Sequence, residues 1–328
     1  MKKHILKLLA LALCAVSLLS LTALAEGDEA APKEEAPAQA EEEAPAAVPL
    51  RGTVKKQENG SLLLTSSAAE NEGEEIVVHV PEGTPYVDSV TGEPLNLEEL
   101  KDGDFLYIWT SPAMTMSLPP QTSAFAIVGK IPADKAVPQY VEVNAPAVFP
   151  APGGEGERRI PYAGGTLTVN DATEVKPHLT RNIVTLEDLI PGTRLLAWTG
   201  EDGKAERVLV FAYGYQGYLE VSEDSDIRLN GEDLAEKGRV VEDAFGSWQY
   251  VPLRAVAEAA GYEVKWVSGK GAVVSQGETE LFTVSNGAEE AQTTDDPHGL
   301  IGACVIDQGV TYLPAMDVAL LLNLYLCA

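Results

Sequence analysis

The side chains that could do chemistry in this 328-residue chain are few and scattered. Beyond residue 25 it holds three histidines, His79, His178 and His298, and two cysteines, Cys304 and Cys327. No His-x-His or His-x-x-x-His pair offers two imidazoles to one metal ion. Asp224-Ser225-Asp226 and Asp295-Asp296 bring carboxylates together, but neither continues into the Gly and Glu positions of a calcium loop, so solvated turns are expected. The chain has no G-x-S-x-G, H-E-x-x-H or G-x-x-x-x-G-K motif, and the Gly-Gly pairs at 153–154 and 164–165 flank turns. No residue is therefore assigned to catalysis, a cofactor or a metal. A hydrolase is the least favoured reading.

A second chemistry is stacking. The run 213–218, Tyr-Gly-Tyr-Gln-Gly-Tyr, alternates rings with small or polar residues at an expected domain junction. Tyr215, Tyr218 and Trp248 could hold a sugar ring, or could simply cover a hinge with their polar tips in water.

The elements that must position these groups follow from composition and pattern. Residues 1–25 carry Lys2, Lys3 and Lys7, an apolar run and a closing Ala-Leu-Ala, the pattern of a cleaved secretory signal peptide. Residues 26–49 are mostly Ala, Glu and Pro, which cannot bury enough surface to offset chain entropy and read as a disordered acidic linker. The chain's 23 Lys+Arg against 50 Asp+Glu leave a net charge of −27. That charge argues against nucleic acid and against anionic lipid as partners. A secreted or extracellular protein is expected, held near the cell wall, with no membrane attachment after leader cleavage.

From 50 onward short β-type runs are divided by Gly, Pro and Asn turns. One pattern occurs twice. Leu97-Glu98-Glu99-Leu100-Lys101-Asp102-Gly103 matches Leu186-Glu187-Asp188-Leu189-Ile190-Pro191-Gly192, and each precedes a strand with a tryptophan, Trp109 or Trp198. Two tandem small β-barrels of OB-like type are expected, at 50–131 and 138–217, with both tryptophans as core residues.

The last third, 218–328, is an α+β domain built around 250–266, YVPLRAVAEAAGYEVKW. Pro252 suits the first helical turn, Leu253, Val256, Ala257 and Ala260 form one apolar stripe, and Gly261 ends the helix. Tyr262, Val264 and Trp266 then alternate with Glu263 and Lys265, so Trp266 is expected on the buried face of a strand. Arg254 stands one turn before Glu258 and is expected to pair with it. Gripping a carboxylate or a sugar is its alternative role. The unit recurs: Tyr312-Leu313-Pro314 repeats Tyr250-Val251-Pro252, and Asn323 replaces Gly261 at the cap.

The I-x-L-N-G strand at 227–231, the P-L-R-x-V-A-E-x-x-G helix and a following hairpin resemble the copper amine oxidase N-terminal-like domain, or stalk domain, of secreted and cell-surface bacterial proteins. The resemblance implies a duplicated strand-helix-strand unit. It implies no copper, because the metal and quinone chemistry of amine oxidases belongs to a separate catalytic domain. Cys304 and Cys327 fall in expected strands and would pair in an oxidising compartment if their Cα atoms approach within about 7 Å, and otherwise stay thiols. The expected role is a non-catalytic structural, adhesion or wall-associated interaction module, its partner a cell-wall polysaccharide or an envelope protein. The alternative is an extracellular glycan-binding module.

Overall fold

The protein is described from a computed structural model at residues 47–133, 136–149, 156–179, 183–242 and 246–327. The expected leader and nearly all of the linker lie outside these residues. The first strand begins at Val48, one residue before the expected end of the linker at 49. Among the described residues the chain is mainly β, with two α-helices, and no helix is long and apolar enough to cross a membrane.

The first region has β1 (Val48–Lys56), β2 (Leu62–Ser66), β3 (Glu75–His79), β4 (Tyr86–Asp88), β5 (Phe105–Thr110) and β6 (Gln121–Gly129). Antiparallel ladders join β1 to β2 and β5, β2 to β3, and β5 to β6. A parallel ladder from β3 to β6 completes the circle, so five strands form a closed barrel with β4 parallel to β6 on its edge. Alternate residues such as Val54, Leu64, Val78 and Ile108 point inward and fill it. β1 must bend to serve both neighbours at Gly52, where a Cβ would lie 2.0 Å from the Thr65 carbonyl oxygen. Only glycine fits there.

The second region repeats the element order: β7 (Gln139–Glu142), β8 (Arg158–Tyr162), β9 (Gly165–Val169), β10 (Glu174–Pro177), β11 (Arg194–Thr199) and β12 (Ala205–Val210). Its ladders are β7–β11, β11–β12, β8–β9 and the parallel β10–β12. Single bridges, Val143 to Tyr162 and Thr168 to Lys204, join the ribbon β8–β9 to the rest in the same circular order. In each region a single 3-10 turn precedes the tryptophan strand, and its first N–H groups are capped by Asn96 or Thr185.

The tryptophans correct the sequence expectation. Trp109 and Trp198 are only half-buried and pack against a third cluster between the regions, around Val128, Tyr140, Leu196 and Phe211, not inside the core of either region. Their indole N–H groups donate to the backbone oxygens of Pro138 and Ser89. Arg207 stacks 3.9 Å from the Trp198 ring centre and donates to the carbonyls of Val90 and Thr91. Strand alternation sends every second residue outward, and here outward means toward the neighbouring region.

The third region runs through β13 (Gly217–Val221), β14 (Ile227–Leu229), β15 (Glu232–Asp233), β16 (Arg239–Glu242), β17 (Ser247–Pro252), α1 (Leu253–Ala259), β18 (Glu263–Val267), β19 (Gly271–Gln276), β20 (Thr279–Val284), β21 (Glu290–Thr293), β22 (His298–Gly299), β23 (Val305–Asp307), β24 (Val310–Pro314), α2 (Ala315–Leu321) and β25 (Leu324–Leu326). Three sheets, ordered β15-β14-β13-β25, β16-β17-β24-β23 and β18 to β22 in sequence, enclose one apolar core. The helices contribute the stripes expected of them, Leu253, Val256 and Ala257 from α1 and Ala315, Val318 and Ala319 from α2. Gly261 and Asn323 close them at φ 87° and 52°.

Pro252 and Pro314 correct a detail. Each is the last extended residue before its helix, with ψ of 110° and 137°. The reason is their pairing: Tyr250 opposes Pro314, Val251 opposes Leu313, and Pro252 opposes Tyr312. The ladder holds both prolines extended, and the helices start one residue later.

Candidate functional site

The strongest candidate site lies between α1 and β18. Val264 is buried as expected, but Trp266, two residues on and on the same face, is 58% exposed. This overturns the expectation of a buried indole. Trp266 lines a cleft of about 300 Å³ together with Val264 and with Arg254, Ala255 and Glu258 of α1. Pro252, Ala255, Val264, Ala272 and Val310 give that cleft an apolar lining.

The polar lining is held in place before any ligand arrives. Arg254 Nη1 donates to Glu258 Oε1 at 2.9 Å and also to the backbone oxygen of Val264. The expected Arg254–Glu258 pair is thus present, and its bond to the Val264 carbonyl anchors the guanidinium to β18 in the cleft that Trp266 also lines. Thr311 and Glu236 complete the rim. Sequence reasoning missed both, because neither has a local signal and each arrives from a strand or loop distant in the chain.

The other nominated aromatics are dispersed. Tyr215 makes edge contacts with Tyr213 at 5.9 Å and Tyr325 at 5.4 Å, beside Gly192 of the second region. Tyr218 is buried within β13 opposite Tyr325, and burial first, then Glu220, raises its hydroxyl pKa. Trp248 is half-buried opposite Val241 in a different sheet. Tyr215 and Tyr218 therefore belong to a packed junction, whereas Trp248 stands apart. Tyr213, which donates to the Pro191 carbonyl, is part of the same junction, and burial pushes it up to about 12.

Cys304 is buried in the core and Cys327 is half-buried after β25; both are free thiols. Burial pushes them up to about 11 and about 12 respectively, with Glu220 adding to the second. The histidines lie apart: His79 bonds to Gln121, His178 sits edge-on to Phe211, and His298 bonds to Asp317. Among the described residues no three His, Cys, Asp or Glu side chains converge on one point, so these residues do not fit a copper ion.

A larger cleft of about 490 Å³ lies between the first and second regions, lined by Phe125, His178, Arg194 and Phe211. Arg194 is already paired there with Glu142 at 3.3 Å. Burial lowers the His178 pKa, which leaves the cleft with a neutral imidazole and a compensated guanidinium.

Residues 239–325 match the family model for the copper amine oxidase N-terminal domain. The match opens on β16 and closes in β25, so it takes in the Trp266 cleft and both helices. No curated protein and no solved structure matches the chain.

Proposed function

We propose that this chain is a non-catalytic secreted or cell-envelope protein that acts as a structural and adhesion module at the cell wall. Its partner in this reading is a cell-wall polysaccharide or an envelope protein. The matched segment belongs to a non-catalytic domain type, which agrees with the lack of a catalytic motif in the sequence. The leader-like start, the acidic linker and the net charge of −27 support an address outside the cytoplasm.

The two β-regions are read as tandem OB-like copies of one fold. Their common circular strand order and their shared turn before the tryptophan strand support this. The third region is read as a duplicated strand-helix-strand, stalk-like domain, supported by the symmetric pairing of β17 with β24. The barrels, joined through their own apolar cluster, would act as a stiff spacer.

The single observation that carries an interaction role is the exposed Trp266 in a lined cleft of the matched segment. Fractionation of producing cells tests the reading. The chain is expected in the wall or medium fraction with its N-terminus at Glu26, and the purified protein is expected to co-sediment with insoluble wall material. Retention in the cytosol with residues 1–25 intact, or no co-sedimentation, overturns it.

A further inference from the structure

We infer that the cleft between α1 and β18 binds one ring of an uncharged saccharide, stacked on Trp266. This rests on the wall-associated reading and deepens it by naming ligand class and site. Burying a large indole removes more apolar area from water than burying any other side chain, so leaving it exposed on the inward face of a strand forgoes stability. Trp266 stands opposite Ala272 in the ladder, a small side chain, and both line the cleft, where the indole stays 58% exposed.

The lining decides among ligand classes. Anions would meet Glu236 and Glu258, on a chain that is already strongly acidic. A cation stacked on the indole would sit beside Arg254, which lines the same cleft. An uncharged ring avoids both conflicts. The Arg254–Glu258 pair offers donors and an acceptor side by side, and Nε and Nη2 of Arg254 have no protein partner among the described residues. Sugar hydroxyls need that combination, with an apolar floor for the ring's C–H face. The volume, about 300 Å³, is at the small end for ligand clefts and suits one ring with neighbouring sugars outside.

Titration calorimetry on the full secreted chain tests the inference, with a tetramer of N-acetylglucosamine, cellotetraose and a tetralysine peptide as probes. At least one of the two sugars is expected to bind, and Trp266→Ala to weaken it about tenfold. Trp266→Phe is expected to retain part of the affinity, and Arg254→Ala to weaken it as well. Since Trp266 and Arg254 are exposed, the variants are expected to unfold near the parent temperature. Absence of binding by both sugars, equal affinity of Trp266→Ala, or binding of tetralysine alone overturns the inference. Wall co-sedimentation that survives Trp266→Ala would overturn this site while leaving the wall-associated role intact. Sugar binding without wall retention would do the reverse.

Discussion

The two helices of the third region share a backbone plan and differ in what they show to solvent. Both follow an extended proline, both bury a stripe in the same core, and both end on a left-handed residue. On α1 the outward pair one turn apart is Arg254 and Glu258, an ion pair beside a cleft. On α2 the same places hold Met316 and Leu320, 51% and 63% exposed. Next to them, where α1 has Ala255, α2 has Asp317 at 1% exposure, accepting from the Ile301 N–H and bonded to His298. One plan can thus carry a polar outer face or an apolar one. The inward stripe decides the fold, and the outward residues are left to vary.

The comparison can be broken at its strongest point. Leu253 is fully buried where α2 has the smaller Ala315, so the inward stripe of α1 depends more on one large side chain. Leu253→Ala should cost about 2–5 kcal/mol in denaturant titrations, through lost transfer energy and a residual cavity. A loss below about 1 kcal/mol would mean that α1 is not the anchor of the core.

Asp317→Ala should cost about 1–3 kcal/mol, because it removes a buried acceptor shared by the Ile301 N–H and His298. Urea midpoints measure this, and an unchanged midpoint would mean that water replaces the carboxylate at no cost.

Alkali should act through the second half of the region, residues 304–327, which holds both thiols. Cys304 and Cys327 titrate higher when folded than their ordinary 9.0, so they favour the fold below that value. Their contribution is lost as pH rises through 9 toward 11 and 12. Melting temperatures should fall over that window and fall less in a Cys327→Ser variant. Native thiols should react slowly at pH 8, and denaturation of the cleaved protein should release two reactive thiols. One or none would show a disulfide.

The caps give a smaller contrast. A Cβ on Gly261 meets nothing within 4 Å, so Gly261→Ala should cost about 1–2 kcal/mol from the left-handed backbone alone. Asn323 both caps α2 and donates from its side chain to the Gly214 carbonyl at 3.0 Å, so Asn323→Ala should cost at least as much. The least effect is expected at the Arg254–Glu258 pair: Glu258→Ala should change stability by about 0.5 kcal/mol or less, since exposed pairs are weak.

What the sequence revealed and concealed divides along range. The stripes of α1 and α2, the caps at Gly261 and Asn323, and the repeated turn before Trp109 and Trp198 are set by neighbours within a few residues, and all could be read. Closure of the first barrel depends on β3 meeting β6, some forty residues apart, through a parallel ladder that leaves no local mark. Trp266 was misread for the same reason. Alternation says which face it occupies, but what covers that face is a tertiary fact. Asn323 looked like a second-choice cap, while its amide also ties the third region to the segment leaving the second.

The pairing of β13 with β25 has a mechanical consequence. These strands are parallel, matched Gly217 to Leu324, Tyr218 to Tyr325 and Leu219 to Leu326, and the ladder extends through the Cys327 N–H to the Leu219 carbonyl. The chain enters the third region along one strand and leaves it along the other. A tension pulling on Gly217 and Cys327 in opposite directions would load those hydrogen bonds in shear, all at once, instead of opening them one by one. The entrance and exit of the region are thus joined by a clasp that resists being drawn apart.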